Sequence, residues 1–186
     1  MNPHPARLRA ALTHYLGRQL TAEAAAHIET VAGETSLPYP AFVGRGIDTR
    51  QLPEYFDFLA GKLGTAYYPS DSRVMAVRRG DRIAAVVLFR RTREWQVEIT
   101  VASNGSRDWL TRKLIVACAR YVFWQCGVEH ALFTVEGTNE RSQQMCIRMN
   151  FLRIGEVESG RKTRVLYGVS RDQFIVLWAR RLKMKE

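Results

Sequence analysis

The sequence predicts an α/β chain built on a mixed, twisted β-sheet with helices at its flanks. Three observations carry that reading. Hydrophobic spacing changes from a three-to-four-residue period in the N-terminal third to near alternation between residues 73 and 102. The turns inside that alternating stretch are too short to cross over to a parallel neighbour, so its strands must be antiparallel. A long helical stretch then lies between two strands over residues 95–135, a β-α-β crossover whose strands run parallel.

Each element follows from its residues. Residues 3–33 read as helical: Leu8, Leu12, Tyr15 and Leu16 share one face, and Thr21 offers a capping hydroxyl to a second helix striped by Ala24, Ile28 and Val31. From Glu34 to Thr49 the composition turns to Pro, Gly and Ser (SLPYP, then GRG), which predicts an ordered loop. Gln51–Leu63 is a third helix, with Pro53 tolerated in its first turn and Gly64 as its stop. Arg73–Arg78, Arg82–Arg90 and Trp95–Ala102 are strands, joined by turns at Arg79–Asp81 and Arg91–Glu94. Asp108–Gln125 is a long helix carrying Leu110, Leu114, Cys118 and Tyr121, closed by Gly127. A strand at 130–135 (HALFTV), a helix from about Glu140 to Met149 and strands around Leu152–Glu158 and Arg164–Val169 follow. A last amphipathic helix carries Phe174, Ile175, Trp178 and Leu182. The expected division is a helical extension over 1–64, packed on a main domain over 65–186 that includes the C-terminal helix.

Composition narrows the class. A chain of 186 residues, 46% hydrophobic and 25% charged, has the make-up of an ordinary globular domain. That excludes a disordered tail or a disulfide miniprotein. The longest apolar run, Ile83–Phe89, has seven residues, against ~20 for a spanning helix, so no membrane contact is expected. The three cysteines are odd in number and follow neither C-x-x-C nor zinc-site spacing. With His4, His14 and His27 scattered, no metal site is expected. The cysteine usage points to a reducing compartment, and the N-terminus lacks the serines and the long apolar stretch of a targeting segment. The expected location is cytoplasmic.

One segment stands apart. Residues 139–151 read N-E-R-S-Q-Q-M-C-I-R-M-N-F after a strand and a Gly-Thr turn. This resembles the GNAT N-acetyltransferase signature N-x-x-S-x-x-L-Y-x-x-x-G-F, with Asn139, Ser142 and Phe151 in register and Met145 in the Leu position. The resemblance runs over roughly residues 72–170. It takes in the strand Val97–Ala102, the long helix with its aromatic end (ARYVFWQCGV) and the strand HALFTV. It also takes in Phe151–Val157, similar to the strand entry of the ribosomal-protein-alanine type.

The resemblance implies a GNAT-like fold that uses acetyl-CoA as cosubstrate, held in a gap between the strands at 97–102 and 130–135. Asn139 and Ser142 would contact the pantetheine arm or order the strands; read from the residues alone, they are a helix cap with a polar first turn. Main-chain groups near Val101 would polarise the thioester carbonyl. In the family, a glycine-rich turn opening the long helix receives the pyrophosphate. Here Ser103–Arg112 has one glycine, and the candidates are Gly105, Ser106, Thr111 and Arg112, with Arg107 and Lys113 adding charge. Some divergent members, including phage-encoded ones, look similar here. Asp108 puts negative charge in that turn and is alternatively a helix cap. The family's usual tyrosine, which protonates the leaving thiolate, falls at Cys146. That residue is either a proton donor or a small buried hydrophobe, and Tyr121 and Tyr167 are alternative donors. Asn150 replaces the usual glycine and tolerates the left-handed conformation. Glu98 is the candidate general base, since alternation sends it away from core-facing Val97, Ile99 and Val101; its other reading is an exposed carboxylate paired with Arg90. Glu136 is a second candidate base, and His130 a strand-surface or core residue.

Charge is the last clue. The sequence carries a net +10, and residues 73–93 hold seven Arg and one Asp. Such a field attracts CoA phosphates, an acidic protein or nucleic acid, or serves only solubility. The expected activity is transfer of an acetyl group to an amine of a protein, an aminoacyl-tRNA or a small molecule. The alternative is a catalytically degenerate GNAT-shaped binder of nucleic acid or a host protein, of the kind a phage or mobile element would carry. A homodimer contact through the extension is a further expectation.

Overall fold

A computed structural model of the chain describes residues 37–40, 46–106, 108–159 and 162–179. The helices expected over 3–33, and Leu182 of the C-terminal helix, lie outside the described residues. Helices are α1 (Pro53–Leu63), α2 (Arg112–Ala119), α3 (Glu140–Arg148) and α4 (Arg171–Phe174). Strands are β1 (Ile47–Asp48), β2 (Ser72–Arg79), β3 (Arg82–Arg93), β4 (Gln96–Ser103), β5 (His130–Glu136), β6 (Leu152–Ser159) and β7 (Lys162–Ser170). They form a mixed sheet in the order β1-β2-β3-β4-β5-β7-β6. Among the described residues, one compact unit comprises 37–131 with 170–179, and another comprises 132–169.

The first unit is organised by the β2-β3-β4 meander, which is antiparallel throughout. Register puts Val74, Leu88 and Thr100 in one row and Ala76, Val86 and Ala102 in the next. That face packs on Tyr55, Phe56 and Leu59 of α1. The opposite face carries Met75, Val87 and Phe89, and Phe89 meets the Tyr121 ring edge-on at 4.8 Å. Helix α1 has Pro53 at its start and ends where Gly64 turns left-handed (φ 69°). At the start of β5, the amides of Glu129 and His130 both donate to the Trp95 carbonyl at 3.1 Å.

Four local expectations change. Inside the segment read as a loop, Ile47–Asp48 pairs with Val77–Ala76, because Gly46 turns left-handed and its carbonyl accepts from Arg78. Strand β3 runs on to Arg93 through a bulge, in place of the turn expected at Arg91–Glu94; Gln96 donates to Thr92 across it. The long helix begins at Arg112 rather than Asp108, since Thr111 is the cap: its Oγ1 accepts from the Leu114 amide at 3.2 Å. From Arg120 to Gln125 it widens to π-helical winding, closed by the Cys126 amide on the Tyr121 carbonyl. Val101, expected in the core beside Val97 and Ile99, is half-buried. No helix among the described residues is long and apolar enough to cross a membrane.

In the second unit, β5 passes to α3 through a close turn. The Gly137 amide donates to the Thr163 carbonyl at 2.7 Å, and a Cβ at Gly137 would lie 3.0 Å from that oxygen. Helix α3 ends at Asn150, which takes φ 55° as expected for the glycine-like position. Phe151 then donates to the Cys146 carbonyl and stacks on Phe133 at 4.6 Å between centroids. Strands β6 and β7 form an antiparallel hairpin that places Arg153 opposite Tyr167.

Candidate functional site

The candidate residues fall into two groups. Val101, Gly105, Ser106, Thr111 and Arg112 follow one another from β4 through the loop into α2. Asn139, Ser142 and Cys146 lie on the first two turns of α3 and its cap.

In the loop, Gly105 takes φ 91°, a conformation only glycine adopts freely, and no atom stands within 4 Å of where its Cβ would be. Its amide is turned onto Ser103 Oγ (3.3 Å), and the Ser106 amide onto Asn104 Oδ1 (2.9 Å). Asp108 is turned towards Arg79, whose guanidinium donates to the Asp108 carbonyl at 2.7 Å and stands 3.5 Å from the carboxylate. Ser106 and the local backbone, then Arg79, hold the Asp108 carboxyl below its ordinary range. The acid thus has a cation of its own. The first turn of α2 contains no acidic residue and carries exposed Arg112 and Lys113. A helix N-terminus with cationic side chains is suited to a phosphate group. A phosphate group placed here would therefore meet the start of α2 and Arg112 more than the amides of Gly105 and Ser106, which are turned onto Ser103 and Asn104.

Glu98 projects from β4 directly opposite Arg90, whose Nη2 donates to Oε2 at 2.7 Å. The pairing is the one read from the sequence, but the carboxylate is not exposed: its side chain keeps 13% of its surface. Burial opposes the Arg90 charge, while Glu98, with smaller effects from Tyr67 and Asp71, raises its pKa on balance. Arg90 thus fixes the orientation of the carboxylate.

On α3, Asn139 Oδ1 accepts the Ser142 amide at 3.0 Å, the cap that its residue type favours. Cys146 is fully buried, and burial pushes its thiol up to about 12. It is a protonated, packed side chain. Gln143, which sequence reasoning passed over, donates from Nε2 to the Gly137 carbonyl at 2.7 Å and receives the Tyr167 hydroxyl at 3.4 Å. Its only sequence signal was its place one turn into a helix after Gly-Thr. Of the alternative donors, Tyr121 is committed to the Pro38 carbonyl at 2.8 Å, and burial raises its pKa. Glu136 pairs with Lys162 at 2.9 Å. His130 is half-buried against Trp95, and burial lowers its pKa. Among the described residues, no group of His, Cys, Asp or Glu is arranged to hold a metal ion.

The arginines of 73–93 are largely engaged. Arg73 donates to the Ser72 carbonyl and covers the Tyr39 ring, and Arg78 pairs with Glu54. Arg79 and Arg90 hold Asp108 and Glu98. Arg91 donates to the Glu94 and Cys126 carbonyls, and Arg93 lies over Trp95.

No protein-family profile matches the chain, and no curated protein does. Solved structures do. A protein provisionally described as an acetyltransferase superposes with a TM-score of 0.60 at 16% identity, over 81% of this chain and 95% of its own. The spermidine/spermine N-acetyltransferase SpeG from Vibrio cholerae, in mutant form, gives 0.56 at 12% identity, over 72% and 98%. A protein from T. thermophilus, also provisionally an acetyltransferase, gives 0.52 at 21% identity, over 67% and 70%. The chain therefore has the fold of the GNAT acetyltransferases, the fold its motif resembles, in a divergent form.

Proposed function

We propose that the chain is an acyl-CoA-dependent N-acetyltransferase. The observation that supports this most is a coincidence of fold and motif. The N-x-x-S segment caps and opens α3 after β5 in a chain that has an acetyltransferase fold. Arg112 and the start of α2 would hold the diphosphate, with Gly105, Ser106 and Thr111 shaping the turn. Asn139 and Ser142 would meet the pantetheine arm, and acetyl-CoA would supply the activated acetyl group. Glu98, held by Arg90, would take the proton of the acceptor amine directly or through a water. Backbone groups near Val101 would polarise the carbonyl under attack.

The acceptor favoured here is a small-molecule amine rather than a protein or aminoacyl-tRNA. The fold likeness to a spermidine N-acetyltransferase supports it, and so does the engagement of the arginines at 73–93, which leaves less free charge for a nucleic acid. Thermal denaturation with acetyl-CoA tests the first half of the proposal. Ligand at one hundred times Kd adds ~2.7 kcal/mol of stability, so an unmoved melting temperature would refute it. Thiol release with polyamines, amino-acid amides and charged tRNA as acceptors tests the second half. Turnover confined to tRNA would overturn the small-molecule assignment.

A further inference from the structure

We infer that the first unit holds a binding site for a small-molecule carboxylate, built on Arg73 at the start of β2. Arg73 keeps 7% of its surface, and charged side chains are seldom so buried without a counter-ion. Arg50, Arg78, Arg79, Arg90 and Arg153 each meet a carboxylate. Arg73 meets none among the described residues. Its Nη1 donates to the main-chain carbonyls of Pro69 and Ser72, and its guanidinium carbon lies 4.5 Å from the centre of the Tyr39 ring. None of these is a counter-ion. Nε is buried with no partner, and among the described residues Nη2 has none either. Nε and Nη2 form an edge with which an arginine can grip both oxygens of a carboxylate. That edge is unused.

The surroundings add charge of the same sign. Arg73 pairs with Phe89 across the sheet, and Phe89 meets Tyr121. Arg91, two residues on from Phe89, faces the same way, and both guanidinium groups act electrostatically on the Tyr121 hydroxyl. Arg91 donates to the Glu94 and Cys126 carbonyls, again without a counter-ion. Burial keeps the Tyr121 phenol and the Cys126 thiol protonated, so neither supplies negative charge. Asp71 and Glu94, the nearest acids in sequence, form no ion pair with either arginine.

The elements around Arg73 suit a ligand. Tyr121 and Gln125 donate to the Pro38 and Tyr39 carbonyls and so hold the Tyr39 ring against the guanidinium. Both come from the π-wound end of α2, and such widenings are frequent at functional sites. The site is separate from the transfer chemistry. Ser72, Arg90 and Glu98 form a row on the α1 face of the sheet, whereas Arg73, Phe89 and Ile99 form the next row on the opposite face.

Thermal denaturation with acetate, succinate, glutamate and citrate, each against chloride at matched ionic strength, tests this. At least one of them raises the melting temperature saturably, and does so more than phosphate. Arg73→Lys keeps the charge but lacks the fork, and binds that carboxylate ~10-fold more weakly. Arg112→Ala, at the start of α2, leaves the affinity unchanged. In nitrogen-15-labelled wild type, the Arg73 Nε–H resonance, assigned through its contact with the Tyr39 ring, moves along the same titration. That measurement needs no variant to fold. If no carboxylate binds, if phosphate binds as tightly, if Arg73→Lys or Arg112→Ala behaves otherwise, or if the Nε–H resonance stays still, the inference falls. The transferase reading stands or falls separately, on stabilisation by acetyl-CoA.

Discussion

Between Val74 and Val77 on β2, and between Ala84 and Phe89 on β3, every side chain is at most 2% exposed. Helix α3, from Glu140 to Arg148, buries a single residue, Cys146. The meander is held by area removed from water, at roughly 25 cal/mol per Å² of apolar surface. The α3 segment is held by a few directed contacts: the Asn139 cap, the Gly137–Thr163 bond and the Gln143 side chain folded onto the Gly137 carbonyl. The difference teaches where chemistry can be placed. A segment whose order comes from a few hydrogen bonds can keep polar groups pointed at a ligand. The fully packed runs of β2 and β3 have no such freedom, whereas β4 leaves Glu98 and Val101 only partly covered.

The largest effect should come from the packed side of this contrast. Leu88→Ala, at a position 2% exposed between Val74 and Thr100, is expected to cost about 2–5 kcal/mol in urea denaturation. Cys146→Ala removes one buried sulfur and should cost only about 1 kcal/mol. Equal losses at the two sites would mean that α3 depends on burial as much as the meander does.

Gly137 sharpens the contrast at the directed contacts. A Cβ there stands 3.0 Å from a backbone oxygen of β7, and backbone yields less readily than a flexible side chain. Gly137→Ala should cost about 1–3 kcal/mol, and a melting temperature unchanged from wild type would show that the turn is looser than its geometry. The two caps come next. Asn139→Ala and Thr111→Ala should each cost about 1 kcal/mol, with Asn139→Asp restoring the lost stability. A loss of acetyl-CoA stabilisation in the Asn139→Ala protein beyond that in Thr111→Ala would separate a ligand-facing cap from a merely structural one.

Much of this was legible in the residues. Alternation and short turns specify the meander because its strands are local and one register buries all its apolar side chains except Ile83 and Val101, which are half-buried. Gly64, Gly127 and Asn150 mark helix ends because each takes a left-handed conformation. The start of α2 was not legible. Asp108 and Thr111 are both good caps, three residues apart, and Arg79, distant in sequence, draws Asp108 away. Strand β1 was hidden because two residues give no period; only pairing with β2 makes them a strand. The alternation correctly set Glu98 opposite Val97 and Ile99, but its enclosure beside Arg90 depends on what covers that face. At α3 the motif located the cap. The Tyr167–Gln143 contact joins a strand and a helix across 24 residues, which no local pattern encodes.

The smallest expected effect lies at the outer edge of the meander, where a polar contact supplements burial. Asp48 of β1 receives Arg50 Nη2 at 2.6 Å and the Tyr55 hydroxyl of α1 at 2.5 Å. The bond from Arg50 holds its carboxyl well below the usual range, against burial, with Tyr55 assisting. A carboxyl depressed in the folded state contributes stability above its unfolded pKa, about 3.9, and loses that contribution as the pH falls below it. Because Arg50 keeps 69% of its side-chain surface, solvent screening holds the ion pair to the small contribution typical of surface pairs. Asp48→Asn should therefore be slightly less stable than wild type at pH 6, with the gap narrowing as the pH is lowered towards 3. A gap that stays constant over that range would assign the role of Asp48 to the Tyr55 hydrogen bond alone. Even this edge of the meander would then owe nothing to charge.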